Sequence, residues 1–287
     1  MEIAIGLPNA VAGARGEHLV EFARRADQAG FSSLGTIDRV VYPNYEPLTT
    51  FAAAAAVTER IRLMTTILIA PLRPDTALLA KQAVTVDNIS GGRLTLGLAP
   101  GGREDDYEVA GLDFHTRGRQ FDAQLEELRT LWAGEERGAG YPVVPDPVTA
   151  GGPRLVLGGS SDPSFRRAAQ YGAGWIMGGG PPDAFREALP KVESAWAEAG
   201  RDGKPVKMAL GYFALGPNAK DGAERSLKHY YAWLGDYAQA IADSAATDAD
   251  TVKQYASAFE DAGCDEFFFM PAISEPDQVD LLHEALG

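Results

Sequence analysis

Short apolar runs alternate with amphipathic stretches along the whole chain, and the alternation recurs about eight times. Parallel strands cannot be joined by tight hairpins and need helical crossovers, so such a repeat restricts the chain to an α/β architecture. The runs Ile3–Leu7, Ser33–Ile37, Arg62–Ile69, Arg93–Leu98, Arg154–Leu157, Gly174–Met177, Lys207–Leu215 and Glu266–Met270 are read as strands. Between and after them lie helical stretches at Glu17–Ala29, Pro47–Arg60, Asp75–Ser90, Arg117–Trp132, Ser164–Tyr171, Asp183–Glu198, Asp221–Asp243, Asp248–Ala262 and, terminally, Pro276–Ala285. In the first, Leu19, Phe22, Ala23 and Ala26 share one face and Gly30 stops the helix; Gly91-Gly92 is a C-cap signal after the third. Eight strand–helix pairs are the number that closes a (β/α)8 TIM barrel of about 250 residues. The fully apolar run Phe267-Phe268-Phe269-Met270 fits a parallel strand buried on both faces. The prediction is a single-domain parallel barrel over residues 1–287, with the Gly- and Pro-rich segment 134–153 as a long connection.

Charge narrows the function. The 287 residues carry 26 Lys plus Arg against 40 Asp plus Glu, a formal charge of −14. No basic excess is available to displace counterions from a nucleic-acid backbone. A single cysteine, Cys264, excludes an internal disulfide framework and a Cys-based zinc cluster. Nothing near Met1 reads as a secretory signal, and the longest apolar runs, Phe51–Val57 and Ile67–Leu72, are too short to span a bilayer. The expectation is a cytoplasmic protein with no nucleic-acid or membrane partner.

In a barrel the active site lies where strands end and the following loops begin. The most informative such position is Gly158-Gly159-Ser160-Ser161, followed by a helix start near Pro163. Glycines let a backbone approach an anion, hydroxyls add donors, and a helix N-terminus carries partial positive charge. Gly178-Gly179, after the next strand, would be its neighbour in a barrel. Together they read as a phosphate cradle; singly, each reads as a tight turn. Asp38-Arg39, at the second strand end, is either a site pair or an ion pair on the barrel rim. Arg103-Glu104-Asp105-Asp106 is either a solvated loop or the source of a catalytic carboxylate, Glu104. His18 and His229 fall in helices and are expected at the surface. No metal-ligand spacing, no Gly-x-Ser-x-Gly elbow and no Walker-type Gly-Lys-Ser/Thr run is present.

Several segments carry a resemblance to a known family. Ser90-Gly91-Gly92-Arg93-Leu94-Thr95-Leu96-Gly97 resembles the most recognisable segment of the bacterial luciferase-like superfamily. Arg103 through Phe114, with Arg117 to Trp132, is similar to that family's next block. Gly158-Gly159-Ser160 with Arg166-Arg167-Ala168-Ala169 and Gly172-Ala173-Gly174-Trp175 is similar to its flavin-phosphate segment, and Ala26–Leu34 to its first helix–strand junction. The resemblance implies a TIM barrel binding FMN, reduced FMN or the related deazaflavin at its C-terminal rim. It implies that Gly158, Gly159, Ser160, Ser161, Gly178 and Gly179 hold the phosphate, with Asp38, Thr65, Thr66, Ile67, Ala99, Pro100, Gly101 and Met177 about the ring. The family often carries a non-proline cis peptide or bulge at the third strand end, which corresponds here to Thr65-Thr66-Ile67. Leu7, Pro8, Ile67, Leu68 and Met177 are the expected apolar walls.

One departure matters. Many members carry Asp-His at the second strand end, where this chain has Asp38-Arg39. Arginine stays protonated at working pH and is a poor general base. Arg39 would then bind an anionic substrate group, stabilise reduced-flavin charge, or leave the enzyme without an acid–base group there. The resemblance implies a monooxygenase using reduced FMN and O2 on a small organic substrate. The alternatives are a deazaflavin-dependent hydride-transfer oxidoreductase, a non-catalytic flavin-binding protein, and a lyase or isomerase barrel holding a phosphorylated substrate. No Gly-x-Gly-x-x-Gly follows a strand, which favours a separate flavin reductase. Family analogy suggests a homodimer through helices two and three, with the flat face Phe51–Ala56 as the packing surface.

Overall fold

In the computed structural model, which describes residues 1–287, every predicted apolar run is a strand of one parallel sheet. The strands are β1 (Glu2–Gly6), β2 (Ser33–Thr36), β3 (Arg62–Thr65), β4 (Leu68–Ile69) and β5 (Leu94–Ala99). The hairpin of β6 (Glu136–Arg137) and β7 (Tyr141–Pro142) follows, then β8 (Arg154–Gly158), β9 (Gly174–Met177), β10 (Val206–Phe213) and β11 (Glu266–Pro271). β1 pairs with β2 and β11, and the ring continues through β10, β9, β8 and β5. It closes where β3 and β4 both pair with β5. β3 and β4 are two halves of one stave, and the Thr66–Ile67 peptide between them is cis. With β6 and β7 set apart in the predicted long connection, eight parallel staves close a TIM barrel.

Around it run α1 (Gly16–Ala29), α2 (Pro47–Ala55), α3 (Thr76–Ser90), α4 (Glu104–Val109), α5 (Arg117–Trp132), α6 (Asp162–Tyr171), α7 (Pro182–Glu198), α8 (Ala219–Tyr230), α9 (Tyr237–Asp243), α10 (Ala249–Asp261) and α11 (Asp277–Leu286). Side chains alternate across each strand, and β11 shows why its run is wholly apolar. Phe267 and Phe269 pack outward with Phe213, Phe259 and Leu282 under the helices, whereas Phe268 and Met270 point into the barrel with Met64, Val156 and Ile176. Gly30 and Gly91 close α1 and α3 in the left-handed conformation, as the spacing predicts.

Three expectations are corrected. The stretch Asp221–Asp243 is not one helix: α8 ends at Tyr230, a 3-10 turn spans Ala232–Leu234, and Gly235 at φ +57° redirects the chain into α9. The predicted helix Pro47–Arg60 stops at Ala55, because Asp27 of α1 accepts the N–H groups of Glu59, Arg60 and Ile61 and holds them out of a helix. The run Phe51–Ala56 is not a free flat face: Phe51, Ala54 and Ala55 are buried, and only Ala53 and Ala56 are exposed. On α3, by contrast, Leu78 and Ile89 are 52% and 50% exposed.

Candidate functional site

The strands' C-terminal ends open onto two adjoining cavities that share Thr66, Ile67, Gly101, Gly102, Gly178 and Gly179. The larger, about 770 Å³, gathers most of the residues singled out by sequence: Thr66, Ile67, Ala99, Pro100, Gly101, Gly158, Gly159, Ser160, Ser161, Met177, Gly178 and Gly179. Both glycine turns therefore face one space. At Gly159 the backbone has φ +125°, and a Cβ there would meet the Ser164 hydroxyl at 2.4 Å, so only glycine suits this turn. The buried Trp175 indole N–H donates to the Gly159 carbonyl at 2.8 Å. A planar trans peptide then turns the Ser160 N–H away from the core. Ser161 precedes α6, and its hydroxyl pairs with that of Ser164 at 3.0 Å. A Cβ built on Gly178 meets nothing within 4 Å, so this turn is a cradle that a side chain would fill.

Two cations that sequence reasoning missed also line this cavity, Arg117 and Lys191. Arg117 opens α5, with its guanidinium 3.6 Å from the Phe114 ring centroid and Nη1 donating to the Phe114 carbonyl. Lys191 sits on α7 in a stripe with Ala184, Glu187 and Ala188, all of them lining residues. The spacing of that stripe, three and four residues apart just after the glycine turn, was the available signal.

The smaller cavity, about 200 Å³, takes in Asp38 and Arg39. Asp38 is a brace: its carboxylate accepts the Ile69 N–H at 2.8 Å and both terminal nitrogens of Arg73 at 2.7 and 3.1 Å. Burial alone would lower the Arg73 pKa, but Asp38 and Glu46 outweigh it and raise it. Arg39 is 7% exposed, and its Nε donates to Asp106 Oδ2 at 2.7 Å. Asp106, fully buried, also accepts the N–H groups of Val40 and Val41 at 2.9 and 2.6 Å. Of the carboxylates in Arg103–Asp106, Asp106 and not Glu104 lies inside. The segment is helical, two residues apart on a helix face different ways, and Glu104 is exposed and lines neither cavity. Thr65 also lines neither, its hydroxyl donating to the Gly97 carbonyl at 2.8 Å. Among the expected walls, Ile67 and Met177 line the larger cavity, whereas Leu68 belongs to the packed core. Leu7 lines a separate small pocket beside Met270.

Three tyrosines complete the smaller cavity, and sequence reasoning missed them. Tyr212 stands near the end of β10, and Tyr230 and Tyr231 where α8 ends. The hydroxyls of Tyr212 and Tyr231 are 2.7 Å apart. Burial pushes all three above the ordinary tyrosine value, so they stay protonated donors. Tyr107, raised chiefly by burial, donates to the Pro100 carbonyl and ties α4 to the loop after β5. His229 meets the Tyr42 hydroxyl through Nδ1 at 2.8 Å and is otherwise exposed, as expected of a surface helix. No three His, Cys, Asp or Glu side chains gather as a metal site would need, and no helix is long and apolar enough to cross a membrane.

An uncharacterized protein of Mycobacterium tuberculosis is 32% identical over 210 residues, covering 63% of this chain and 72% of that one. The pyrimidine monooxygenase RutA of Stutzerimonas stutzeri is 30% identical over 225 residues, covering 71% of this chain and 61% of RutA. The monooxygenase RslO1 of Streptomyces bottropensis superposes with a TM-score of 0.82 at 23% identity, over 100% of this chain and 98% of its own. Two further structures share the fold over the whole of this chain. An F420-dependent secondary alcohol dehydrogenase, in complex with an F420-acetone adduct, has a TM-score of 0.78 at 20% identity and is covered in full. The oxygenating constituent of 3,6-diketocamphane monooxygenase from Pseudomonas putida, in complex with FMN, has a TM-score of 0.74 at 18% identity and is covered over 96%. The family profile described as luciferase-like monooxygenase matches residues 1–281, and the chain belongs to that family.

Proposed function

We propose that this protein is a monooxygenase using reduced FMN and O2 on a small organic substrate. The observation that carries the reading is the convergence of two glycine turns on one cavity, with the Thr66–Ile67 and Ala99–Gly101 segments lining the same space. The residues fit the group: Gly178 offers an open cradle, Ser160 and Ser161 add hydroxyls, and α6 brings its N-terminus. Arg117 and Lys191 add positive charge to the same space. When bound, reduced flavin supplies the electrons that activate oxygen; the protein binds it, orients it and keeps water away. Ile67, Ala99, Ile176 and Met177 supply apolar surface for that exclusion.

Reduced cofactor comes from a separate reductase on this reading, since the chain carries no dinucleotide-binding glycine motif after any strand. The protomer pairs with a second copy through α3, whose exposed Leu78 and Ile89 are apolar side chains on an outer helix.

A fluorescence titration with FMN, reduced FMN and deazaflavin tests the reading. Tight binding of FMN, with substrate oxygenation once a reductant is added, is the expected result. Preference for the deazaflavin with no oxygen uptake would point to hydride transfer instead, and binding without any turnover to a non-catalytic flavoprotein. Binding of sugar phosphates with neither flavin would move the assignment to a lyase or isomerase barrel.

A further inference from the structure

Outside the two cavities lies a third opening, a cleft of about 410 Å³ that the sequence did not disclose. Six residues line it: Gly102, Arg103, Glu104, Asp105, Phe114 and Trp233. Gly102 also lines both the larger and the smaller cavity, and Arg103 the smaller, so the cleft continues the barrel mouth outward. The start of α4 divides its carboxylates between the two sides: Asp106 lines the smaller cavity, Glu104 and Asp105 the cleft.

Two aromatic rings stand on its walls, and each is braced. Phe114 has the Arg117 guanidinium 3.6 Å from its centroid and meets the buried Tyr107 ring edge-to-face at 5.4 Å. Arg117 lines the larger cavity and Phe114 the cleft, so this pair is the partition between them. Trp233, on the 3-10 turn between α8 and α9, has the Arg103 guanidinium 4.8 Å from its ring centroid. Asp105 pins that guanidinium: Arg103 Nε donates to Oδ1 at 2.9 Å, and Nη2 donates to Oδ2. Trp132, Trp175 and Trp196 are buried, but Trp233 is 49% exposed, so part of its surface is open to a guest. A flat ring set against it would bury apolar area and add the attraction between stacked aromatic systems.

Charge sets the polarity of that guest. Arg103 is matched by Asp105, whereas Glu104 is exposed and meets no cation, so the walls carry one carboxylate more than cations. An anion entering the cleft would be repelled by Glu104 with no free cation to receive it. An N–H donor would find in Glu104 an acceptor with both oxygens unused. We infer that the cleft takes a flat aromatic ring that bears an N–H group and no negative charge, stacked on Trp233 and donating to Glu104. The inference rests on the flavin reading for calling this ring the outer end of the substrate, whose reacting end would pass Gly102 into the smaller cavity. Trp233 and Glu104 are then specificity residues that hold the distal group; neither moves a proton.

The test titrates the full chain, with and without FMN, with 3-aminoquinoline, quinoline and quinoline-3-carboxylate. The indole N–H resonance of Trp233, assigned by its loss in Trp233→Ala, reports the site in wild type, and saturation-transfer NMR gives the affinities of the variants. Wild type is expected to bind 3-aminoquinoline about fivefold more tightly than quinoline, and about tenfold more tightly than the carboxylate. Glu104→Ala should bring 3-aminoquinoline down to the affinity of quinoline. Trp233→Ala should weaken both about tenfold, and Trp233→Phe should recover most of that loss. FMN should neither displace the probes nor change its own affinity in these variants. A preference for the carboxylate, an amino-group advantage that survives Glu104→Ala, affinities unchanged in Trp233→Ala, or no binding of any probe would overturn the inference. Displacement by FMN would place the probe in the larger cavity and overturn it as well. Failure of FMN and deazaflavin to bind, with the probe order intact in wild type and lost in Glu104→Ala, would remove the flavin reading and leave the cleft standing.

Discussion

Gly178 and Asp106 show how single positions divide the work at the barrel mouth. Gly178 has open space where a side chain would stand, so Gly178→Val should fold normally and occupy the cofactor cradle. FMN affinity should fall at least tenfold with little change in melting temperature, and fluorescence titration beside calorimetry checks both. Gly159 is different: its φ of +125° and the nearby Ser164 hydroxyl mean that Gly159→Val disturbs the turn itself. That variant should lose binding and stability together. Asp106 accepts three hydrogen bonds from the segment Arg39–Val41, so it holds the loop after β2 against α4. Asp106→Ala strips a buried guanidinium and two backbone N–H groups of their acceptor. It should cost about 3–5 kcal/mol, measured by denaturant unfolding.

Asp27 performs a comparable task between elements. It lies near the end of α1 and receives the N–H groups of Glu59, Arg60 and Ile61 at 3.2, 2.9 and 2.7 Å, which ends the helical region after α2 and aims the chain into β3. Burial alone would raise its pKa, but the three backbone donors outweigh that and hold it below the ordinary value. Its stabilisation is therefore present above the unfolded carboxylate pKa and lost as pH falls through the lower folded value. Asp27→Ala should cost about 2–3 kcal/mol at neutral pH, and the gap from wild type should narrow on acidification below pH of about 4. Melting curves at neutral and acid pH give the answer; a gap that stays constant would mean that Asp27 does not titrate as described. The break between α8 and α9 is a second case. The stretch has helical composition throughout, yet Gly235 turns it, and Tyr230 and Tyr231 come to lie at the barrel mouth where α8 ends.

Closure of the barrel makes the whole molecule sensitive to alkaline pH. Tyr212, Tyr230 and Tyr231 are all raised above the ordinary tyrosine value, chiefly by burial. In the unfolded chain they ionise near a pH of about 10, while the folded chain keeps their protons. Their contribution is complete below that pH and declines as pH rises toward the folded values, so stability should drop above a pH of about 10. Tyr231→Phe should flatten the decline, as followed by circular dichroism melts. Association is the other property of the intact molecule. At 30.6 kDa per chain, sedimentation should report twice that mass, and Leu78→Lys with Ile89→Lys should return the single-chain value. A wild-type protein sedimenting as one chain would remove the dimer.

The sequence by itself determined the barrel. Eight strand–helix alternations, a wholly apolar β11 and glycine turns at two successive strand ends are local patterns, and parallel topology converts them into positions around one ring. That is why the larger cavity is legible in the sequence. What only the tertiary structure decided is who meets whom across the mouth. Arg39 and Asp106 are 67 residues apart, and nothing in their spacing tells that one neutralises the other. The same holds for Tyr212 beside Tyr231, for Lys191 facing the glycine turns, and for Glu104 pointing outward from the helix that turns Asp106 inward. Spacing along a chain specifies which face of its own element a residue occupies; side-chain partners between loops depend on how closed staves stagger and where each loop folds back, and those are set by the packed whole.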